Sequence, residues 1–411
     1  MQWWKNKQLR PALWVLGTVL FFAIGRDILA NGRPLYCRID GKSYFPGLRA
    51  FWKDPALPYG QPVLDSIQQG FLWRRFEYEF AVFAPVPFNA GERPMSPDTT
   101  LLQACPGTVH PGSERRFRHW LGTDVTGYDV AAGVISGARI AVFTGAMATG
   151  IAFAIGLTLG AFAGFWGDNR LRVRRGQIIT FLLGLPFAWF YASTIRHWAV
   201  VRDGAVWSVF MPVFVFAGLA VLFFRTGKAL QFIPFFSKTV LFPADLLIMR
   251  LAEVFTSVPG LVAIVAFAAM LQDQTQTLWA MTILIGAFSW PGVALFIRAE
   301  LLRIREMEYI TAARGMGLTE WRILYRHALP NALRPAYTIL AFGVAGAILL
   351  EASLSFLGYG DAGLQGATWG SLLRNARSSP QLWWISVPPG LAICLTILAL
   401  HRIGESLSER R

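Results

Sequence analysis

Residues 298–334, RAELLRIREMEYITAARGMGLTEWRILYRHALPNALR, form a polar, basic stretch between two long apolar runs. Within this stretch Met307, Ile310 and Ala313 recur at three-residue steps, which places them on one face of a helix. The sequence therefore predicts a short amphipathic helix in the first part of the stretch.

A second helix is predicted after a break at Gly315 and Gly317, with Thr319 as its N-terminal cap and Pro330 at its end. Its expected apolar face follows the i, i+3, i+4, i+7 rule, with basic side chains on the opposite side. The apolar face comprises Trp321, Leu324, Tyr325 and Ala328, and the basic side comprises Arg322 and Arg326. A basic helix–turn–helix between apolar runs is suited to contact something outside a bilayer.

The composition excludes an ordinary soluble protein. Of 411 residues, 54% are apolar and only 15% are charged. Apolar runs of about 20 residues recur, and each is long enough to cross the hydrocarbon core of a membrane. The formal charge of +14 admits a nucleic-acid partner, but the basic cytoplasmic loops of a membrane protein account for it as well. The three cysteines have no metal-ligand spacing, and the five histidines are scattered.

The distribution of basic residues predicts the sidedness of the chain. Eight crossings that start from a cytoplasmic N-terminus leave five cytoplasmic segments, which carry 3, 4, 3, 7 and 3 Lys plus Arg. The three short outer loops carry 2, 0 and 2. This asymmetry is the one that the positive-inside rule requires. The cytoplasmic segments are 1–10, 167–176, 225–245, 298–334 and 402–411, and the short outer loops are 196–205, 272–276 and 358–383.

The motif in the basic stretch resembles the EAA loop of the ABC-importer permeases. The matching residues are Thr311-Ala312-Ala313, then Gly317, then Leu329-Pro330. In that family the loop is a coupling helix, held on the cytoplasmic side by a separate ATP-hydrolysing subunit. The alternative is an amphipathic loop that rests on the membrane surface. The resemblance implies a coupling surface made of Glu308, Thr311, Ala312, Ala313, Arg314, Gly317, Leu329 and Pro330.

The motif departs from the family pattern at one position. Thr311 stands where the family has its leading glutamate. Glu308 lies one helical turn earlier on the same side. Our hypothesis is that Glu308 partly replaces the missing charge.

Other segments resemble the dipeptide and oligopeptide branch of the same family. Residues 120–130, WLGTDVTGYDV, are similar to the LGTDxxGRDV motif that precedes the core of those permeases, with Tyr128 in place of the usual arginine. Residues 253–259 match EVFxSVP, and residues 351–360 are close to EASLSFLGLG. Residues 32–48 look like the outer region of the microcin C and peptide uptake branch.

Two residues in these segments are candidates for a hinge or gate. Pro259 should kink its helix and leave a carbonyl unpaired, which suits a hinge or a pore-lining element. Glu351 is expected near the outer face, where a charge is tolerable, and a gate or packing role is favoured over ion coupling. Glu253 is expected to pair with Arg250 through i, i+3 spacing or to lie near the headgroups. The helix at about 277–297 is expected to break at residues 290–292.

The predicted fold is an all-α integral membrane protein with about eight transmembrane helices, namely a six-helix type I importer core plus an inserted pair. The N-terminal tip and first span occupy 1–30, a large extracytoplasmic region 31–136, the transmembrane domain 137–404 and a cytoplasmic tail 405–411. The inserted pair, at about 177–224, falls where the resembled permeases pass directly to their next span. Its function is not indicated by the sequence. Gly156, Gly160 and Gly164 predict close approach of a second helix.

The extracytoplasmic region contains two of the three cysteines, Cys37 and Cys105. An oxidising compartment would permit a disulfide between them, but spacing alone does not decide whether they pair.

The resemblance implies a permease subunit of an ATP-driven importer for peptides or peptide-like solutes, in the inner membrane of a bacterium, with both termini cytoplasmic. The partners it implies are a second permease, two ATPase subunits that bind ATP and magnesium, an extracytoplasmic solute-binding protein and membrane lipids, but no nucleic acid. No GxxxxGK[ST] phosphate loop occurs in the sequence, so no catalytic residue, metal or cofactor is expected in this chain. The alternative is an ion-coupled secondary transporter or a channel, which would normally need acids or bases at mid-membrane depth.

Overall fold

The computed structural model of the chain describes residues 9–49, 59, 61–69, 73–74, 76–91, 102–109, 116–168, 172–202, 207–270, 278–359 and 366–408. The N-terminal residues 1–8, the outer link 272–276 and the tail residues 409–411 therefore lie outside the described residues. The fold is mainly helical, as predicted, and it also contains two small antiparallel sheets.

The first membrane helix leads into a small mixed layer. Helix α1 (Leu9–Leu29) is followed by strands β1 (Tyr36–Ile39) and β2 (Lys42–Tyr44), helix α2 (Pro62–Gln69) and strand β3 (Phe80–Val82). The strand order is β2-β1-β3, with Cys37 opposite both Tyr44 and Ala81. One face of this sheet packs on α2 and Trp73. This part of the region 31–136, which the sequence analysis expects to be extracytoplasmic, thus has a core of its own.

Both cysteines of this region are free thiols. Cys37 is buried in the core under the sheet, whereas Cys105 is exposed. Burial raises the pKa of the Cys37 thiol to about 11. The disulfide between Cys37 and Cys105, which the sequence permitted but did not decide, is not formed in this structure.

Helix α3 (Val130–Trp166) is the longest helix, and it packs along α9 (Leu278–Ile304). Asp129 caps α3 by accepting a 2.7 Å hydrogen bond from the Ala132 amide, which satisfies a donor that the first turn leaves free. Gly160 faces the backbone of α9, and a Cβ at this position would lie 2.6 Å from the Ala294 carbonyl oxygen. The predicted close helix approach is confirmed, and Gly156 and Gly164 contact α9 in the same way.

The predicted inserted pair forms a helical hairpin that is closed at its base. Helices α4 (Arg175–Arg202) and α5 (Trp207–Thr226) pack on each other, and a 3₁₀ turn (Ala229–Phe232) and α6 (Pro234–Ser237) follow. Strand β4 (Arg172–Arg174) enters the hairpin, and strand β5 (Thr239–Leu241) leaves it. These strands pair antiparallel, with Arg172 opposite Leu241. The chain therefore returns to the place from which it departed.

Three prolines differ in how they affect the helices around them. Pro259 separates α7 (Ala244–Ser257) from α8 (Gly260–Met270), which meet at a bend of 77°. This confirms the predicted kink. Pro291, in contrast, lies inside the continuous helix α9, so the break predicted at residues 290–292 is wrong. Pro330 likewise does not end its helix, because it lies in the first turn of α12 (Leu329–Leu357).

The remaining helices complete the transmembrane domain. Helix α10 (Glu308–Gly315), α11 (Glu320–Ile323) and a π-helical turn (Leu324–Ala328) precede α12, and α13 (Trp369–Ala376) and α14 (Trp383–Ser408) follow it. Among the described residues, six helices are long and apolar enough to cross a membrane, and the bent pair α7–α8 makes a seventh candidate. Helix α5 adds a shorter apolar segment, Val215–Thr226.

Candidate functional site

The helix–turn–helix predicted from the sequence is present, and residues 308–328 are called the elbow below. Its inner face is fully buried. Ile310 and Ala313 of α10 pack into one apolar cluster together with Ile323, Leu324 and Ala328 of the second arm. The same cluster contains Phe165 and Trp166 of α3, Ile297 and Leu301 of α9, and Ala332 and Ala336 of α12. The elbow is therefore packed against the ends of three long helices.

The turn of the elbow depends on a glycine. Gly317 has φ +77°, a conformation that side-chain-bearing residues rarely adopt. The amides that follow α10 bond back to its last carbonyls, with Leu318 N donating to Ala313 O at 3.3 Å. Thr319 stands at the N-cap of α11 as predicted, but its side chain accepts no capping hydrogen bond.

Arg314 joins the two arms of the elbow. Its Nε donates to Glu320 Oε1 at 3.0 Å, and its Nη1 donates to the Arg305 carbonyl at 3.5 Å. Arg314 is half-buried, and its guanidinium lies 5.9 Å from the centre of the Phe165 ring. This predicted surface residue thus points inward and fixes the angle between α10 and α11. Sequence reasoning missed Glu320, because a six-residue separation across a break follows no helical spacing.

The outer face of α10 is exposed and consists mostly of small side chains. Glu308, Thr311 and Ala312 lie on it at i, i+3 and i+4, and Met316 follows with 74% of its surface exposed. Among the described residues, Glu308 forms no ion pair with another side chain. A face with two short side chains and one carboxylate allows a partner to approach closely and to place a cation there.

The predicted apolar face of the second arm is only half correct. Leu324 and Ala328 are buried, but Trp321 is 48% exposed and Tyr325 is 61% exposed. Ile323 takes their place in the core. The π-helical turn adds one residue per turn and so rotates the later residues away from an α-helical pattern. Arg322 and Arg326 are exposed as predicted.

The two exposed aromatic rings belong to a stack beside α3. Trp321 lies parallel to Tyr325 with ring centres 5.8 Å apart, and it contacts Trp166 at 4.6 Å. Of the other predicted residues, Leu329 is half-buried against the elbow cluster and Pro330 is exposed.

Polar contacts just before the elbow tie the end of α9 to α7 and Arg305 to α3. Arg298, near the end of α9, forms a two-pronged ion pair with Asp245 at the start of α7, and its Nη2 lies 2.6 Å from Asp245 Oδ2. Arg305 donates to the Gly164 carbonyl of α3 at 3.3 Å. Sequence analysis counted Arg298 only among the basic residues of a predicted cytoplasmic segment. The structure adds an ion pair that joins α9 to α7 shortly before the elbow begins.

The hinge and gate candidates lie far from the elbow in sequence. Pro259 marks the 77° bend between α7 and α8. On α7, Arg250 donates to Glu253 at 2.7 Å, and both side chains are exposed, which confirms the predicted i, i+3 pair. Glu351 is six residues from the C-terminal end of α12, as expected for the outer side, but it is only 3% exposed. Glu351 is therefore enclosed by protein, and its gate or packing role stays a prediction.

Glu351 is enclosed where α13 presses on α12. Ser355 Oγ donates to Glu351 Oε1 at 2.8 Å. Gly370 of α13 lies directly on the Ala352 carbonyl, where a Cβ would collide. Within the described part of the chain, no group of three or more His, Cys, Asp or Glu side chains is arranged to hold a metal ion.

Sequence comparison relates the elbow and its supporting helices to a known protein family. Residues 239–410, which include the elbow and its supporting helices, match the family described as binding-protein-dependent transport system inner membrane component. The chain is 26% identical over 407 residues to the inner membrane ABC transporter permease protein YejE of Escherichia coli K12, covering 98% of this chain and 93% of that protein.

Two further relatives differ in how much of the chain they share. The peptidoglycan transport system permease protein YejE of Agrobacterium fabrum is 24% identical over 420 residues, covering 98% of this chain and 89% of that protein. A protein of Brucella ovis named as a peptide permease is 37% identical over 169 residues, which is 40% of this chain and 55% of that relative.

Proposed function

Because this chain is a permease subunit of the ABC importers, with residues 239–410 matching their binding-protein-dependent inner membrane component, we propose that its solute is a peptide or a peptide-like compound. Relatives named for peptide or peptidoglycan transport support this solute class. The comparisons give no support to an ion-coupled transporter or a channel.

The proposed assembly contains one further permease chain, two ATPase subunits and an extracytoplasmic solute-binding protein. ATP and magnesium are bound by the ATPase subunits, and this chain performs no catalysis of its own. The absence of a phosphate loop from the sequence supports this division of labour. In this proposal residues 298–334, which contain the elbow, are the coupling loop of the transmembrane domain at 137–404.

The observation that carries the function is the two-sided elbow. One face is buried against α3, α9 and α12, and the other face is exposed with short side chains. In the proposed mechanism an ATPase subunit binds the exposed face around Glu308, Thr311 and Ala312. Its movement is transmitted by the buried face, and the rigid helices change access to the path from one side to the other.

The proposed orientation has both termini in the cytoplasm. The excess of Lys and Arg in the five segments predicted to lie on the same side of the membrane as the elbow supports it. Trp166 at the end of α3 contacts Trp321, so the loop after α3 and the elbow lie at the same end of the bundle. Both of these segments are rich in Lys and Arg, which is typical of the cytoplasmic loops of membrane proteins.

The test is purification of the tagged chain in a mild detergent, followed by reconstitution. We expect an ATP-hydrolysing chain and a second permease to co-purify, and peptide uptake to stop when ATP is withdrawn while ion gradients are maintained. Uptake that continues without ATP, or a chain that is fully active without an ATPase, would overturn the proposal.

A further inference from the structure

The closed end of the α4–α5 hairpin concentrates positive charge. This end, residues 172–177 and 225–241, is called the hairpin base. Between Asp168 and Asp245 the sequence contains one acidic residue, Asp203, which follows the last residue of α4 in the chain. The base carries six cationic side chains, Arg172, Arg174, Arg175, Arg225, Lys228 and Lys238.

The fold brings these cations together from both ends of the insertion. Strand β4 pairs with β5, and Arg175 N donates to the Lys238 carbonyl at 3.0 Å. Gly176 lies against the end of α5, where its Cβ would be 2.8 Å from the Gly227 carbonyl oxygen. Arg174 has contacts of its own, and the other five form no ion pair with any described side chain. Their charges are therefore available to an anionic partner.

Bulky apolar side chains accompany the cations. Phe232 is 87% exposed, and Phe235 is 56% exposed, with Ile233 exposed between them. The Arg175 guanidinium lies 5.7 Å from the centre of the Phe235 ring. Side chains of this kind on a charged surface are typical of elements that enter the boundary between headgroups and acyl chains.

The position of the base agrees with such a boundary. Helix α4, which is long and apolar enough to cross a membrane, begins at Arg175 directly after β4. Asp168 accepts a 3.0 Å hydrogen bond from Leu246 N, which holds the end of α3 against the start of α7 just outside the base. The base thus lies where apolar helices emerge, at the same end of the bundle as the elbow.

We propose that the hairpin base is a binding site for the phosphate headgroups of anionic membrane lipids. The cations bind the phosphates, while Phe232, Ile233 and Phe235 enter the adjoining acyl region. An acidic surface of the ATPase partner would also attract the cations, but it would not account for aromatic rings exposed beside the ends of two apolar helices. The inference does not depend on which solute is carried or on which ATPase binds the elbow.

The first experiment measures lipid binding to the purified full-length chain by native mass spectrometry. Phosphatidylglycerol is compared with phosphatidylcholine for the wild type and for the variant R172Q/R175Q/K228Q/K238Q. A matched control, R322Q/R326Q/R334Q/R402Q, removes the same charge at the elbow's end outside the base. Circular dichroism verifies that each variant is folded.

We expect the wild type to prefer phosphatidylglycerol and the base variant to bind it about tenfold or more weakly, because each basic residue near an anionic surface contributes to binding. The control should change by less than about threefold. Equal weakening by both variants, or no preference in the wild type, would overturn the site.

A second experiment locates the base and distinguishes lipid from protein contact. A fluorophore is attached at F232C in a C105S/C394S background, with M316C in the exposed turn of the elbow as the control position. In phosphatidylglycerol vesicles we expect spin labels near the headgroups to quench the probe at residue 232 but not the probe at residue 316. A probe at residue 232 that responds only to added ATPase, and not to lipid spin labels, would assign the surface to the protein partner and overturn the proposal.

Discussion

At the scale of single residues, the elbow separates side chains that hold it from side chains that face a partner. The motif places Arg314 beside Thr311 and Ala312, yet Arg314 points inward to Glu320 while the other two are exposed. Periodicity predicted Ile310 and Ala313 correctly. It failed for Tyr325, which lies in a π-helical turn that apolar spacing alone does not predict, and for Trp321, whose ring stacks on Tyr325 and Trp166 outside the core.

Arg314→Ala should loosen the elbow. Loss of the partly exposed pair with Glu320 should cost about 1 kcal/mol of stability and weaken ATPase binding by changing the angle between the arms. Thermal unfolding and co-purification measure the two effects. Arg322→Ala, which removes an exposed arginine of the second arm, is the control. Equal ATPase binding by wild type and Arg314→Ala would show that the pair does not set the angle.

Glu308→Ala should uncouple the chain without destabilising it. The side chain is exposed and has no ion-pair partner among the described residues, so we expect thermal stability to stay within about 0.5 kcal/mol of the wild type. ATP-driven uptake should fall, and Glu308→Asp should restore part of it. Full activity in the alanine variant would refute the hypothesis that Glu308 replaces the glutamate missing at position 311.

At the scale of elements, similar sequence features have different consequences. Pro259 bends its segment by 77°, whereas Pro291 and Pro330 are accommodated within continuous helices. The difference lies in the surroundings. Pro291 is in the middle of α9, which α3 supports along its length, and the neighbours of Pro330 pack into the elbow cluster. The local sequence around a proline does not reveal tertiary packing of this kind. The glycine spacing of α3, in contrast, did predict its close contact with α9.

Two glycines of α3 give a matched test of that contact. Gly160→Ala places a methyl group 2.6 Å from the Ala294 carbonyl and should destabilise the chain by about 1–3 kcal/mol through overpacking. Gly150→Ala, on the same helix, meets no atom within 4 Å and should be neutral or slightly stabilising. Thermal denaturation of both variants in one detergent is the measurement. A Gly160→Ala variant as stable as Gly150→Ala would mean that α3 and α9 are not in close contact.

At the scale of the whole molecule, the sequence predicted the helical membrane fold and the inserted pair, since both depend on long apolar runs. It did not predict the small sheet around Cys37 or the enclosure of Glu351 between α12 and α13. The three strands of that sheet are three or four residues long, too short to show a clear alternation. The burial of Glu351 depends on the packing of α13 against α12, a contact that local spacing does not predict.

The native cysteines test the orientation of the whole molecule. A membrane-impermeant maleimide added to spheroplasts should label exposed Cys105. Cys37 should remain unlabelled at pH 8, because it is buried and its thiol pKa of about 11 keeps it protonated. In a C105S background, M316C should react only after the membrane is permeabilised. Labelling of M316C in sealed spheroplasts would place the elbow outside and contradict the proposed coupling.

The antiparallel pairing of β4 with β5 has a consequence for how such a permease changes during evolution. The two ends of the α4–α5 hairpin are held side by side, with Arg172 opposite Leu241. Loss or exchange of everything between them should therefore leave the junction from α3 to α7 almost unaltered. We expect related permeases to tolerate variation in this hairpin without a change in the helices on either side of it.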